Sequence, residues 1–264
     1  MKLGLIGSGN MATAIMSGVI KKGVMKPQEI IASDLSEAGR EKAKANLGVV
    51  VTGDNKEVVQ KADILILAVK PQFYADVIQE IKAFVREEQI VITIAPGKTL
   101  EWLAAQFGKP VKIVRTMPNT PAMVMEGMTA ACPNAYVTEE DLAAAKRILE
   151  GFGNVEFISE KLMDVVTSVS GSSPAYVFLF IEAMADAAVS DGMPRDKAYK
   201  FASQAVYGSA KMMLELGRHP GELKDMVCSP GGTTIEAVRV LEDKGFRSAV
   251  IEAMKACTKK ASEM

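Results

Sequence analysis

The chain has 264 residues, which by the rough rule of ~100–200 residues per domain suits one large domain or two modest ones. Hydrophobic residues make up 48% of it, so it can bury sizeable cores. Its 31 Lys and Arg nearly balance its 32 Asp and Glu. Because there is neither a basic excess nor a clustered basic stretch to hold phosphates, nucleic acid is excluded as an expected partner.

The rarer residue types exclude further classes. The cysteines Cys132, Cys228 and Cys257 are too far apart for a disulfide framework or a metal motif, and they suit a reducing compartment. We find no signal-peptide pattern, and the longest apolar runs fall far short of the ~20 residues of a membrane helix. A cytoplasmic protein without a membrane partner is therefore expected. The only histidine, His219, precedes a Pro-Gly turn, so no metal site is expected and a surface position is favoured.

The first part of the chain alternates short apolar strands with helical segments. Strands are predicted at residues 3–6, 30–32, 64–69, 90–94 and 111–114, and helices at 11–22, 37–46, 73–85 and 100–107. Such alternation predicts a doubly wound parallel sheet with helices on both faces, a Rossmann-like α/β fold. Runs at 129–132 and 155–158, with a helix at 141–150 between them, are expected to extend the sheet.

From about residue 160 the pattern becomes helical. Helices are predicted at 162–169, 174–190, 196–216, 234–242 and 246–262, the third ending at Gly217 as a C-terminal cap. The segment YVFLFI at 176–181 is apolar on every side, and such a helix must be buried on every side. About a hundred helical residues offer little room for that within one subunit. We therefore predict an all-helical dimerisation domain over residues 160–264, after a first domain over 1–159.

A glycine turn follows the first strand. The motif GSGNMA at residues 7–12 matches G-x-G-x-x-G/A and opens the first helix. Gly7 would make the tight turn, Gly9 would let backbone N–H groups approach a pyrophosphate, and Ala12 would allow close helix packing. Asp34 ends the second strand about 25 positions beyond Gly9, near the spacing of the acidic residue that binds the ribose hydroxyls of NAD. The alternative for Asp34 is a carboxylate that caps the next helix.

The other strands end in small and polar turns, where doubly wound sheets bind ligands. These turns are AVKP at 68–71, APG at 95–97 and TMPNTP at 116–121. Lys70 could face a ribose or phosphate of the cofactor, and Asn119 and Thr120 could hold the nicotinamide or the substrate. Turn formation alone would equally explain each proline and glycine.

A second glycine loop lies in the helical half. Residues 229–234 read SPGGTT and lead into a predicted helix, with Thr233 and Glu236 at capping-box spacing. A glycine-rich loop before a helix offers free N–H donors to an anion. Whereas the first loop suits a pyrophosphate, this one suits a small carboxylate, or else it is only a capped helix start.

Several segments together resemble the pyrroline-5-carboxylate reductase family. They are GSGNMA at 7–12, AVKP at 68–71, MPNTPA at 117–122, SGSSPAY at 170–176 and SPGGTTIEA at 229–237. The resemblance implies reduction of L-1-pyrroline-5-carboxylate to L-proline, the last step of proline biosynthesis, with NADPH or NADH. It also implies a Rossmann-like domain followed by a helical domain that interlocks with a second subunit, giving a homodimer and often a decamer of five dimers.

The resemblance also implies the roles of individual residues. The cofactor-binding residues implied by the motifs are Gly7, Ser8, Gly9, Asn10, Met11, Asp34, Asn55, Ala68, Val69, Lys70, Pro71, Ala95 and Gly97. The substrate-binding residues implied are Glu160, Ser229, Gly232, Thr233 and Thr234, of which Thr234 and Glu160 are the catalytic candidates. Asn119 joins them because of its position at a strand end. Two positions depart from the family pattern. Ser173 replaces a usual glycine, and Asp34 stands where phosphate-binding members often carry a small polar residue.

Two other enzyme classes share parts of this plan. β-Hydroxyacid dehydrogenases resemble one another in a catalytic lysine on the first long helix of the second domain, but residues 162–194 contain no Lys or Arg. A lactate-type dehydrogenase would need a catalytic histidine, for which His219 is poorly placed. A nucleotide-sensing protein without enzymatic activity would have no use for the second glycine loop. The residues therefore favour a reductase that acts mainly by positioning its substrate, with Glu160 favouring the iminium form electrostatically.

Overall fold

Eight strands form one sheet in the computed structural model, which describes residues 1–263. They are Leu3–Ile6 (β1), Ile30–Ser33 (β2), Val50–Thr52 (β3), Ile64–Leu67 (β4), Ile90–Thr93 (β5), Lys112–Met117 (β6), Gly127–Pro133 (β7) and Gly153–Phe157 (β8). Their order in the sheet is β3-β2-β1-β4-β5-β6-β7-β8. The first six follow the strand order of dinucleotide-binding folds, so the predicted Rossmann-like sheet is confirmed.

The helices alternate with these strands and then continue alone. They are Asn10–Lys21 (α1), Glu37–Leu47 (α2), Asn55–Lys61 (α3), Tyr74–Ile81 (α4), Leu100–Phe107 (α5), Glu139–Leu149 (α6), Met163–Val166 (α7), Ser173–Ser190 (α8), Arg195–Leu216 (α9), Pro220–Val227 (α10), Thr233–Asp243 (α11) and Phe246–Ser262 (α12). Gly217 follows α9 with a left-handed φ of 60°, which confirms the predicted cap. The chain groups into two units, one of residues 1–172 with the stretch from Cys257 onward, the other of Ser173–Ala256.

Alternate residues of the strands build two separate cores, one on each face of the sheet. Ile64 and Ile66 of β4 belong to the core that contains α1 and α6 residues. Leu65 and Leu67 of the same strand belong to the core that contains α4 and α5 residues. A sheet covered on both faces explains why the central strands are continuously apolar.

One pair of strands departs from the predicted parallel arrangement. β7 runs antiparallel to β6, although β8 is again parallel to β7. A parallel return needs a crossover of a dozen or more residues, usually a helix. The connection here, residues 118–126, holds only the 3₁₀ turn Thr120–Val124, so the chain reverses direction.

Short elements escaped the sequence analysis. β3 and α3 were not predicted, because three and seven residues are too few to show a periodic pattern. α10 was also missed: the Pro-Gly pair read as a turn is the first turn of a helix, with Pro220 at the position where a helix tolerates proline. The helix predicted at 162–169 is instead a 3₁₀ turn, the short helix α7 and the π-turn Thr167–Gly171.

The second unit has almost no buried interior of its own. Its buried residues are three alanines, Ala185, Ala198 and Ala202. On α8, Phe178 is 64% exposed and Leu179 is 68% exposed. Such large apolar side chains rarely face water in a group without functional meaning.

One helical stretch, Glu160–Ser190, is long and apolar enough to cross a membrane by length and composition alone. No such stretch was expected from the sequence, because its uninterrupted apolar runs are short although the average over an 18-residue window is high. The mean hydropathy of the best window is 1.2. Buried helices of water-soluble proteins meet the same criteria, so this finding by itself assigns no membrane location.

Candidate functional site

The glycine turn between β1 and α1 leaves room for a ligand at the helix N-terminus. Gly7 has a φ of +100°, and a Cβ there would lie 2.8 Å from the carbonyl oxygen of Ala68, so the turn requires glycine. A Cβ at Gly9 would meet nothing within 4 Å. Gly9 precedes α1 without any side-chain cap, and the first turn has no acidic residue. The first N–H groups of α1, from Asn10 and Met11 onward, are thus free to bind an anion.

Asp34 lies beside this turn and is fixed by three hydrogen bonds. Its Oδ2 accepts from the Ser8 backbone N–H at 2.8 Å and from Ser8 Oγ at 2.7 Å, and its Oδ1 accepts from the Ser36 N–H at 2.9 Å. Burial raises the pKa of Asp34, but the bonds from Ser36 and Ser8, with the charge of Arg40, outweigh it and hold the pKa below its usual range. The carboxylate is therefore ionised at neutral pH. The cap of α2 is Ser36, so Asp34 is not the helix cap considered as its alternative role.

Asn55 connects the end of β2 with α4. Its Oδ1 accepts from Ser33 Oγ at 2.7 Å, and its Nδ2 donates to Glu80 Oε2 at 2.8 Å. Ser33 is almost completely buried, so this chain of bonds fixes the floor of the site.

A cavity of about 460 Å³ collects most of the predicted cofactor residues. It is lined by Ile6, Gly7, Gly9, Asp34, Leu35, Asn55, Ala68, Val69, Lys70, Phe73, Asp76, Val77 and Glu80. The cavity lies at the carboxyl ends of β1, β2 and β4, where doubly wound sheets bind nucleotides. Its volume falls in the usual range for small-molecule sites. Pro71 follows directly after Lys70 and starts the 3₁₀ turn that carries Phe73.

Tyr74 holds two of the strand ends together. Its hydroxyl donates to the carbonyl of Leu67 at 2.5 Å and accepts from the N–H of Ile94 at 3.2 Å. Burial raises the pKa of Tyr74 well above its usual value, so the hydroxyl keeps its proton. It thereby joins the turn after β4 to the turn after β5, which contains the predicted cofactor residue Ala95.

Glu160 and Gly97 line a second cavity, of about 320 Å³, in the first unit. Glu160 Oε1 accepts from the Leu100 N–H at 2.7 Å and from Arg115 at 2.7 Å. Arg115 lies on β6 and is 4% exposed. Glu160 is therefore an anchored carboxylate, held by a buried guanidinium and by the first N–H group of α5.

Asn119 stabilises the connection between the antiparallel strands β6 and β7 through two side-chain hydrogen bonds. Its Oδ1 accepts from the Met128 N–H at 2.8 Å, and its Nδ2 donates to the Ser170 carbonyl at 3.0 Å. It is 8% exposed. These bonds give Asn119 a structural role, and its contact with a ligand stays a prediction.

The second glycine loop opens α11 without a side-chain cap. Gly232, not Thr233, is the N-cap, and no side chain there accepts from the helix. The capping box suggested by the spacing is therefore absent, because Thr233 stands one position too late and Glu236 bonds to Arg239 instead. Gly231 has a left-handed φ of 68°. Thr233 is exposed and Thr234 half-buried, so the helix end presents unused backbone donors beside two hydroxyl groups.

A side chain at Gly232 would crowd Ser229. A Cβ there would lie 2.5 Å from Ser229 Oγ and 3.1 Å from the Ser229 carbonyl oxygen. The Gly232 N–H donates to that same carbonyl at 3.0 Å. Ser229 and Gly232 thus shape the loop from within.

His219 is a helix cap. Its Nδ1 accepts from the Gly221 N–H at 3.1 Å at the start of α10, and its residue is exposed. Among the described residues, no group of three or more His, Cys, Asp or Glu side chains is placed to hold a metal ion.

Three side chains of these sites were not predicted from the sequence: Tyr74, Glu80 and Arg115. Only Arg115 left a signal, since a charged residue interrupts the apolar strand that contains it. The others act through partners at least seven and up to twenty-five positions away, which no local pattern reveals.

Comparisons with known proteins agree with this geometry. Residues 160–264 match the family model for pyrroline-5-carboxylate reductase dimerisation, and residues 2–97 match a model described as NADP oxidoreductase, coenzyme F420-dependent. A pyrroline-5-carboxylate reductase of Escherichia coli is 54% identical over 100% of this chain and 98% of its own length.

Solved structures also resemble the chain over nearly its whole length. A pyrroline-5-carboxylate reductase from Coxiella burnetii superposes with a TM-score of 0.93 at 36% identity, over 99% of this chain and 97% of that one. The Plasmodium falciparum pyrroline carboxylate reductase, solved with NADP bound, gives 0.90 at 32% identity, over 100% and 97%. The likeness covers nearly the whole chain, and so residues of both units. The chain is an NAD(P)H-dependent oxidoreductase that belongs to the pyrroline-5-carboxylate reductase family.

Proposed function

We propose that the chain reduces L-1-pyrroline-5-carboxylate to L-proline, using the 460 Å³ cavity for the nucleotide and the loop at 229–234 for the substrate carboxylate. The observation that carries the proposal is full-length identity of 54% to a reductase of that name. When bound, a reduced nicotinamide supplies the hydride. The hydride adds to the imine carbon, and the ring nitrogen carries the proton.

The nucleotide site is built from backbone donors and one fixed carboxylate. Free N–H groups at the start of α1 would hold the pyrophosphate, with Ser8 and Gly9 shaping the turn. Asp34 would accept a hydrogen bond from a ribose hydroxyl through Oδ1, which accepts only from the Ser36 N–H and keeps a second lone-pair site, whereas Ser8 donates twice to Oδ2. Lys70, which lines the cavity, would bind a phosphate of the nucleotide.

The substrate site would also bind an anion at a helix N-terminus, in this case the small carboxylate of the substrate. The unused N–H groups of α11 and the hydroxyls of Thr233 and Thr234 would bind the carboxylate. The family resemblance implies a role for Glu160 in favouring a cationic ring nitrogen, with the part of its charge that Arg115 leaves unneutralised. A protonated imine is electrophilic without further help, so positioning contributes most of the rate enhancement.

We further propose that the active form is a homodimer, with larger rings of dimers as the family resemblance implies. The second unit buries three alanines and exposes large apolar side chains along α8 and α9. A domain without an interior gains stability only by packing on another surface. The cytoplasmic location expected from the sequence stays a prediction.

Turnover tests the function directly. The purified protein should oxidise NADH or NADPH when the cyclic imine acid is added, and L-proline should form in equal amount. Small 2- and 3-hydroxy acids with the oxidised cofactors should give no reaction. Nucleotide binding without turnover of the imine would favour a nucleotide-sensing protein, and turnover of a hydroxy acid would favour the rival dehydrogenases.

A further inference from the structure

We propose that the nucleotide cavity of this chain selects NADH over NADPH, with Asp34 as the residue that determines the choice. This selectivity rests on the proposed function, because it concerns the same cavity. It goes further by naming which form of the cofactor the cavity accepts.

Asp34 is a rigid, charged wall of the cavity. Ser8 donates to its Oδ2 from both backbone and side chain, and Ser36 donates to its Oδ1. The carboxylate therefore cannot swing away to admit a second anion without losing three hydrogen bonds. It accepts hydrogen bonds from hydroxyl groups, but a phosphate in the place of a hydroxyl would meet it charge against charge.

The other charged residues of the cavity lining add to the negative potential that Asp34 creates. Asp76 and Glu80 also line it, so its lining carries three carboxylates against the single ammonium of Lys70. Asp76 and Glu80 are exposed, and salt screens their effect more than that of Asp34. We assign them a smaller share of the selectivity.

The groups near β2 that could bind a 2′-phosphate are partly engaged: Ser33 already donates its hydroxyl proton, whereas Ser36 and Arg40 keep donors. Ser33 Oγ donates to Asn55, and Ser36 Oγ accepts from the Gly39 N–H as the cap of α2. Arg40 donates from one guanidinium nitrogen to the carbonyls of Asp34, at 2.7 Å, and Leu35, at 3.2 Å. Arg40 keeps other N–H donors. If the cavity did accept a 2′-phosphate, Arg40 would be the residue that binds it, and the preference for NADH would be lost.

Direct binding measures the selectivity without catalysis. NADH and NADPH are titrated into the protein in the absence of substrate, with nicotinamide fluorescence or calorimetry as the readout. We expect NADH to bind at least about ten-fold more tightly at low ionic strength. High salt should narrow the ratio.

Four variants locate the cause. Asp34→Asn keeps the shape of the side chain without its charge, and Asp34→Ser removes both. Each should bring the two dissociation constants within roughly three-fold, mainly by improving NADPH. Glu37→Gln removes an exposed charge from the start of α2 outside the cavity and should leave the ratio unchanged. Arg40→Met should affect both nucleotides alike.

Each outcome decides a different point. NADPH that binds the parent as tightly as NADH would overturn the proposal, and so would a loss of NADPH binding alone in Arg40→Met. If the ratio is unchanged in Asp34→Asn and Asp34→Ser, the role of Asp34 is refuted. Failure of both nucleotides to bind the parent would instead refute the proposed function.

Discussion

At the scale of single residues, Thr234 is the first test of the substrate loop. Thr234→Val keeps the shape of the side chain and removes its hydroxyl. We expect kcat/KM for the imine acid to fall by an amount that corresponds to about 1–3 kcal/mol, the cost of one hydrogen bond to a charged partner. Nucleotide affinity, measured by fluorescence titration, should stay the same. Unchanged kinetics would reduce the loop to an ordinary helix start.

Gly232→Val is a less specific test of the same loop. Its Cβ would collide with Ser229 Oγ, so the substitution distorts the loop before it blocks any anion. A loss of substrate binding in this variant is expected, but it would not separate the two causes. Thr234→Val is therefore the decisive variant.

His219 tests whether the enzyme relies on a general acid. Asparagine is a good N-cap, so His219→Asn preserves the start of α10 and removes the only imidazole. We expect kcat to stay within a few-fold of the parent value. A loss of ~10²–10⁴-fold, the usual contribution of an acid–base group, would make His219 the proton donor and end the positioning mechanism.

Arg115 tests the anchoring of Glu160. Arg115→Met leaves the carboxylate without its guanidinium partner, and breaking such a pair costs ~3–5 kcal/mol when both groups are buried. Since Glu160 is 31% exposed, we expect a loss of about 3 kcal/mol in the free energy of unfolding, measured with denaturant. The double variant with Glu160→Gln should recover part of that loss. Strictly additive effects would mean that the two side chains do not interact.

At the scale of elements, α6 carries a capping box whose stability depends on pH. Thr138 and Asp141 bond reciprocally, and Lys112 lies 2.8 Å from Asp141 Oδ2. Burial raises the pKa of Asp141, but the bonds from Lys112 and Thr138 outweigh it and lower the pKa overall. A carboxyl with a depressed pKa in the folded state stabilises the fold above its unfolded pKa, and this contribution is lost as the pH falls through the folded value.

Asp141→Asn should therefore destabilise the protein by about 1–2 kcal/mol at pH 7. The difference from the parent should shrink as the pH falls from about 4, the usual pKa of an unfolded aspartate, toward the lower folded-state pKa of Asp141. Denaturant unfolding at several pH values measures this. Glu140→Gln, an exposed neighbour on the same helix, is the matched control and should change stability by less than about 0.5 kcal/mol. A deficit that persists undiminished at pH 3 would contradict the assignment.

How far the sequence predicts these elements depends on their length and on the range of their contacts. The strands at 64–67 and 90–93 and the glycine turn at residue 7 were predicted because their signals are local. β3 and α3 were not, since their few residues show no period. In the candidate site, the loop residues were predicted from motifs. Tyr74 instead joins the ends of β4 and β5, and Arg115 on β6 bonds to Glu160 in the 3₁₀ turn after β8, contacts that form only in the folded chain. The antiparallel direction of β7 follows from the short connection at residues 118–126, whose length has no local motif to mark it before the strand bounds are known.

At the scale of the whole molecule, the exposed apolar surface of the second unit predicts its assembly. Phe178 is the suitable probe because it is 64% exposed, whereas Phe180 packs against Phe246 with ring centroids 6.0 Å apart. A charge at position 180 would damage the unit itself, but Phe178→Glu would place an unpaired charge in an interface and leave the isolated unit intact.

At micromolar concentration we expect the parent to sediment as a dimer or as a larger assembly with an even number of 28.3 kDa chains. Phe178→Glu should shift this mass toward one chain and lower activity in parallel, because the second unit then lacks the surface that covers it. Tyr136→Glu, at an aromatic residue of the first unit that is 53% exposed, is the matched control and should keep the parent mass. If the parent is a stable and active monomer, α8 is covered in some other way and the dimer is refuted. If Phe178→Glu keeps both the dimer and its activity, the interface lies elsewhere on the second unit, and the exposed methionines and leucines of α9 become the next surface to test.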